Sequence, residues 1–222
     1  MIPIPTCYSD FDPDFTFTSR NVEVKGGKTA KHYLEFAIAD FEQDKTDKGR
    51  INSFSNAKRA LHLQVETLAS LFGFDAIKTK GARYASFPKY IEFIAKCGIV
   101  TPRILTKLNR VRNAVEHAYY TPSKDETENF IDVVELFIAA TDRALYQFPI
   151  DIEFLPMTIL DDGIPNISLI SLEPYSGKLL LNASDAEDLQ YKITLRPDQD
   201  EYFLWLKVLL SGTHLNDYKI RN

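Results

Sequence analysis

Ala144-Leu145-Tyr146-Gln147-Phe148-Pro149-Ile150-Asp151-Ile152-Glu153-Phe154 is where the chain changes period. Before it, Ile131, Val134, Phe137, Ile138 and Leu145 recur at the spacing of one helical face. That is the apolar stripe of an amphipathic helix. From Ile150 onward apolar and polar residues alternate, with Ile150, Ile152 and Phe154 on one side and Asp151 and Glu153 on the other. Period two belongs to a strand with one buried face. Pro149 stands at the switch and is expected to end the last helix, because it lacks an N–H and clashes with the preceding turn. A boundary at 149–151 therefore separates a helical part from a β-rich part, and the expected class is α+β.

Working back from this boundary, the fifth helix opens on Asp125, Glu126 and Glu128 after the break Thr121-Pro122-Ser123. Acidic residues suit a helix N-terminus. The fourth opens on Thr101 as N-cap with Pro102 in its first turn. The third runs from Pro88 to Lys96, with Gly98 as its C-terminal cap. Residues Asp75–Phe87 read as a loop. The second helix covers about Asn52 to Phe72 and stops at Gly73. The first starts at Thr29 with Tyr33, Phe36, Ala37 and Phe41 on one stripe, and the charged segment Asp44–Gly49 breaks it. Short polar connections predict antiparallel neighbours. Residues 29–149 thus form an antiparallel helical bundle. Residues 1–28 form an extended arm, with a short strand near Phe15–Thr18.

Forward of the boundary, Ile167–Leu172, Leu179–Leu181 and Leu189–Leu195 are short strands separated by turn residues. Tyr202–Leu210 is apolar nearly throughout and reads as a buried strand or a helix, with the strand preferred. Residues 150–222 make a small β-rich module, too small to stand alone and expected to pack on the bundle or a partner.

The chain has 222 residues and a formal charge of −5. This excludes whole-surface attraction to nucleic acid but leaves room for a local basic patch. Cys7 and Cys97 have no metal-ligand spacing and imply neither a disulfide framework nor a zinc site. His32 and His62 read as structural. No phosphate-cradling glycine loop or histidine–carboxylate metal motif occurs, so no metal or cofactor is expected. No run reaches about 18 apolar residues and Met1–Pro5 carries no leader pattern, which predicts a cytoplasmic chain without a membrane span.

The densest chemistry lies in Arg112-Asn113-Ala114-Val115-Glu116-His117-Ala118-Tyr119-Tyr120. On a helical wheel Ile104, Leu108, Val111 and Val115 form the core stripe, while Arg112, Asn113, Glu116 and His117 share a neighbouring arc of about 140°. An imidazole takes and returns a proton near neutrality. A guanidinium is a permanent forked cation suited to phosphate oxygens. Asn113 can orient either group from one turn away, and Glu116 can pair with Arg112 and set its direction. These are the minimum parts for cleaving RNA through its own 2′-OH without metal. The same residues also suit an ordinary helix end, where an Arg112–Glu116 pair is worth about 0.3–0.5 kcal/mol. Upstream, Lys78, Lys80, Arg83, Lys89, Lys96, Arg103, Lys107, Arg110 and Arg112 face one acid, Glu92, with Tyr84, Phe87 and Tyr90 interleaved. Cations with aromatics suit single-stranded RNA, and Arg83, Lys89, Arg103, Lys107 and Arg110 are the candidate RNA contacts.

The spacing of Arg112, four residues and then His117 resembles the R-x4–6-H motif of the HEPN superfamily, with Asn113 as its polar residue after the arginine. Ser53–Leu61 is similar to the early core helix of that family, and the resemblance covers about residues 29–147. It implies a HEPN-like helical bundle and a homodimer joined through the Arg112–His117 helix, with both motifs meeting in one composite cleft. It implies a metal-independent endoribonuclease of a toxin–antitoxin or phage-defence system, or alternatively a non-catalytic scaffold that binds RNA or protein. His117-Ala118-Tyr119 further resembles the R-x4-H-x-Y form of HepT-type toxins. That form implies adenylylation of Tyr119 by a partner nucleotidyltransferase antitoxin.

Overall fold

A computed structural model describes residues 15–22, 27–77, 86–99, 120–154, 166–184 and 189–221, with no side chains beyond Leu210. The elements in chain order are β1 (Phe15–Arg20), α1 (Ala30–Gln43), α2 (Asp47–Leu71), α3 (Phe74–Ile77) and α4 (Phe87–Lys96). They continue as α5 (Lys124–Thr141), α6 (Arg143–Tyr146), β2 (Phe148–Phe154), β3 (Asn166–Glu173), β4 (Lys178–Ser184), β5 (Gln190–Leu195) and α7 (Asp200–Arg221). The class is α+β. The chain divides into two compact units: Val22–Ala69 with Ala82–Tyr146, and Met1–Asn21 with Ser70–Gly81 and Gln147–Asn222. Among the described residues no helix is long and apolar enough to cross a membrane.

In the helical unit, the starts of α1 and α5 carry caps built from their own side chains. The Thr29 backbone N–H donates to His32 Nδ1 at 3.1 Å, which opens α1. At α5, Glu126 N–H donates to Ser123 Oγ (3.2 Å) while Ser123 N–H donates to Glu126 Oε2 (2.9 Å). This reciprocal pair is the capping box. The α2 stripe then buries against α5, where Phe54 stacks on Phe130 with ring centroids 4.2 Å apart. Two polar bonds within this apolar packing fix helix positions. Ser53 Oγ donates to the Ala37 carbonyl of α1 (2.6 Å), and Gln64 Nε2 donates to Thr141 Oγ1 of α5 (2.9 Å). Lys31 of α1 pairs with Asp142, which caps the C-terminus of α5, and lies 5.0 Å from the Tyr146 ring centroid. The Asp142 carboxylate raises the Lys31 ammonium above its ordinary range.

The sheet unit is an antiparallel five-stranded sheet in the order β1-β2-β3-β4-β5. Its first strand comes from the N-terminal segment: Phe15 pairs with Phe154 and Arg20 with Phe148. The helical unit is thus inserted in the chain between two paired strands. α7 packs on β1, β2 and β4. Its buried side chains Tyr202, Trp205, Leu206 and Leu209 follow i, i+3, i+4 and i+7. The C-terminal end of α2 also belongs here. Its last carbonyls lack partners within the helix, and the sheet unit supplies them: Tyr175 N–H donates to Leu71 O (2.9 Å) and the Tyr202 hydroxyl to Phe72 O (2.8 Å).

Several expectations are corrected. Tyr202–Leu210 is helical, within α7, not a strand. Its apolar residues go almost all the way round, which hides the helical period, yet only one face is buried. The break before α2 is only Asp44–Thr46, where Asp44 Oδ1 accepts from the Thr46 N–H and hydroxyl, and α2 already starts at Asp47. The stretch read as a loop from Asp75 contains part of the short helix α3. Pro149 does not end the last helix. α5 stops at Thr141, α6 follows, and Pro149 lies inside β2 opposite Ser19, next to a register shift in β1. A proline is accommodated in a sheet at such an irregularity, where no ladder bond is lost.

Candidate functional site

Arg112, Asn113, Glu116, His117 and Tyr119 lie outside the described residues, as do Arg83, Arg103, Lys107 and Arg110. The described chain stops at Ile99 after α4 and resumes at Tyr120. Tyr120 and Pro122 are anchored by side chains of α5 and α2. The Tyr120 hydroxyl donates to Glu126 Oε2 at 2.7 Å, and Arg50 Nε of α2 donates to the Pro122 carbonyl at 3.1 Å. The Tyr120 hydroxyl and the Ser123 N–H and side chain draw the Glu126 carboxyl below its ordinary range. The same bond to Glu126 pushes the Tyr120 phenol up. Residues 120–123, which directly follow the motif, are therefore tied to α2 and α5.

Upstream, α4 separates its charges from its aromatics. Lys89 and Lys96 are exposed, and Lys96 lies 3.8 Å from Glu92 one turn back. Phe87 and Tyr90 are only 3% and 1% exposed. Both are core residues, so neither offers a ring for stacking on a base. The sequence shows them interleaved with cations, but the helical period sends the two kinds of side chain to different faces. Tyr90 sends its hydroxyl to Glu66 of α2 at 3.3 Å, and Phe87 packs against His62 with centroids 5.0 Å apart.

One cavity in the helical unit is not visible in the linear sequence. Its volume is about 640 Å³, and Lys28, Tyr33, Lys58, Arg59, His62 and Glu66 line it. Lys58, His62 and Glu66 stand on successive turns of α2, and Arg59 lies beside Lys58. Lys28, just before α1, and Tyr33 on its first turns close the other side. Lys28 Nζ sits 5.2 Å from the Phe36 ring centroid, and Arg59 Nη1 donates to Asn56 Oδ1 at 3.2 Å. The sequence signal would have been the i, i+4, i+8 spacing of polar residues on α2, but only the packing of α1 against it makes a concave wall. His32 and His62 are both engaged within the fold, His32 in the α1 cap and His62 against Phe87. Compared with protein-family models, curated proteins and solved structures, the chain matches none.

Proposed function

We propose that the chain is a HEPN-type, metal-independent endoribonuclease of a toxin–antitoxin or phage-defence system. The observation that carries this reading is the Arg112-Asn113-x3-His117 spacing at the end of a basic run in an acidic chain. Support comes from the helical unit, whose helices α1, α2 and α4 precede the motif in the chain and whose α5 follows it, and from the exposed Lys89 on α4.

The chemistry follows from the side chains. His117 takes the proton of the RNA 2′-OH as the 2′-oxygen attacks the adjacent phosphorus. Arg112 holds the extra negative charge of the phosphorane. The P–O5′ bond breaks and the 5′-oxygen leaves with a proton delivered by an imidazolium. In a homodimer with both motifs in one cleft, the His117 of the second copy supplies that proton. The products are a 2′,3′-cyclic phosphate and a 5′-hydroxyl. Asn113 and Glu116 orient His117 and Arg112. Arg83, Lys89, Arg103, Lys107 and Arg110 hold the strand. In the HepT-like form, a nucleotidyltransferase partner silences the site by adenylylating Tyr119.

The test is cleavage of labelled single-stranded RNA by the purified chain in EDTA. His117→Ala is expected to lower the rate by about 10²–10⁴-fold and Arg112→Ala by about 10²–10³-fold. Cleavage that requires a divalent metal, or that survives His117→Ala undiminished, sinks the mechanism. Full absence of cleavage and of growth inhibition on expression favours the non-catalytic scaffold instead.

A further inference from the structure

The sheet buries one face, with Ile152, Ile170, Leu172, Leu179 and Leu181 inside it. The residues between them point the other way, and the register sets them in cross-strand rows. One row runs Glu153 on β2, Leu169 on β3, Asn182 on β4 and Lys192 on β5. The next runs Asp151, Ser171, Leu180 and Thr194 across the same strands. Glu153 and Lys192 are exposed, and among the described residues neither makes an ion pair. They end the first row three strand spacings apart, about 14 Å at 4.8 Å each. At the centre Leu180 is 37% exposed, and the half-buried Leu169 lies on its diagonal. An antiparallel sheet can leave one face to water. Water, however, asks for no order of charge along a row, and this face has one.

We infer that this face is an interface between two copies of the chain, packed sheet on sheet about a two-fold axis. The axis runs along the strands, between β3 and β4. β2 then faces β5 of the second copy and β3 faces β4, so each row meets itself reversed. Each Glu153 meets Lys192 of the other copy, and each Asp151 meets the Thr194 hydroxyl, a donor. Leu169 faces Asn182 and Leu180 faces Ser171. The four leucines of the two copies therefore alternate with smaller side chains and interdigitate, as sheets packed about 10 Å apart require. A two-fold axis across the strands would instead set β2 on β2 and acid on acid, which is repulsive. The facing strands cover about 400–500 Å² per copy, the low end for a protein interface, so the dimer is a weak one. The contact is isologous and closes at two copies. It does not rest on the ribonuclease reading, since none of these residues belongs to the Arg112–His117 motif.

The experiment is sedimentation of the full chain at concentrations up to about 0.2 mM, which reads the mass of the assembly. Lys192→Glu and Glu153→Lys each bring like charges together at both ends of the row. Each variant alone is expected to associate through this face at least tenfold more weakly than the wild-type chain. An equimolar mixture of the two is expected to recover the association, because in the mixed pair every carboxylate again meets an ammonium. That recovery also shows that both variants fold. Leu180→Asn leaves the charges alone and is expected to weaken association to a similar degree. A dimer through the Arg112–His117 helix keeps its mass in all three variants, so the two contacts are read separately. A wild-type chain that stays monomeric over the whole range, single variants that keep the wild-type mass, or a mixture that fails to recover overturns the interface.

Discussion

At the residue scale, the junction after the motif is governed by one carboxylate. Glu126 accepts from the Tyr120 hydroxyl and from the Ser123 N–H, and its folded-state titration lies below the ordinary value. The sign follows. A depressed carboxyl contributes stability that is present above its unfolded value and is lost as the pH falls through its folded value. Glu126→Gln should therefore be less stable than the wild-type chain near neutrality, with the difference vanishing in acid below the folded value. Urea titrations at several pH values check this, and a difference that grows in acid would refute it. Ser123→Ala removes the other half of the capping box and should cost about 1 kcal/mol. Deeper in the same unit, Gln64 and Thr141 are 1% and 3% exposed and bonded to each other. Thr141→Val leaves the Gln64 amide buried without that acceptor and should cost about 1–3 kcal/mol. Adding Gln64→Leu removes both partners and should restore most of the loss. A double mutant as unstable as the sum of its singles would show that this bond is not what the two residues share.

At the element scale, two backbones approach closely where the end of α2 meets the β3–β4 turn. Gly73 has φ +89° and Gly177 φ +62°, values that favour glycine. A Cβ on Gly177 would lie 2.7 Å from the Gly73 Cα, and a Cβ on Gly73 would lie 2.4 Å from the Gly177 Cα. Either substitution forces backbone apart as well as straining φ. Gly177→Ala should cost about 2–4 kcal/mol, combining left-handed strain with overpacking. A thermal midpoint within a degree of wild type would refute this close approach. The same region shows what can be read in sequence and what cannot. The stop at Gly73, the cap at Gly98 and the strand near Phe15 were legible, because glycine and alternating residues act locally. α7 was not, because Phe203, Leu204 and Leu210 fill the positions between the buried face of Tyr202, Trp205, Leu206 and Leu209 and blur the period. Asp200 and Glu201 in its first turn were the local sign of a helix start. In the candidate sites the split is similar. The Arg112–His117 spacing is visible in the linear chain, whereas the groove of Lys28, Tyr33, Lys58 and Arg59 exists only once α1 and α2 are packed.

At the scale of the whole molecule, the chain order and the packing order differ. β1 lies at the start of the sequence and pairs with β2, which begins at Phe148. The sheet unit also takes Ser70–Gly81 from the middle of the chain. That segment is more than a passing loop. The Phe72 ring packs 5.2 Å from Phe148, and the Leu71 and Phe72 carbonyls accept from Tyr175 and Tyr202. A fragment of residues 150–222 carries β3, β4, β5 and α7 but loses β1, the first residues of β2 and these acceptors. It leaves β2 with an unpaired edge and the Tyr202 hydroxyl, on a fully buried side chain, without its carbonyl. At about 70 residues it has little core with which to offset those losses. The fragment should therefore fail to fold cooperatively. Circular dichroism should show no sharp thermal transition, and amide resonances should be poorly dispersed. The full chain should show cooperative loss of the same β signal on heating. A fragment 150–222 that melts sharply and disperses its amides would mean that the segment around Phe72 and the N-terminal strand decorate the sheet and do not complete it.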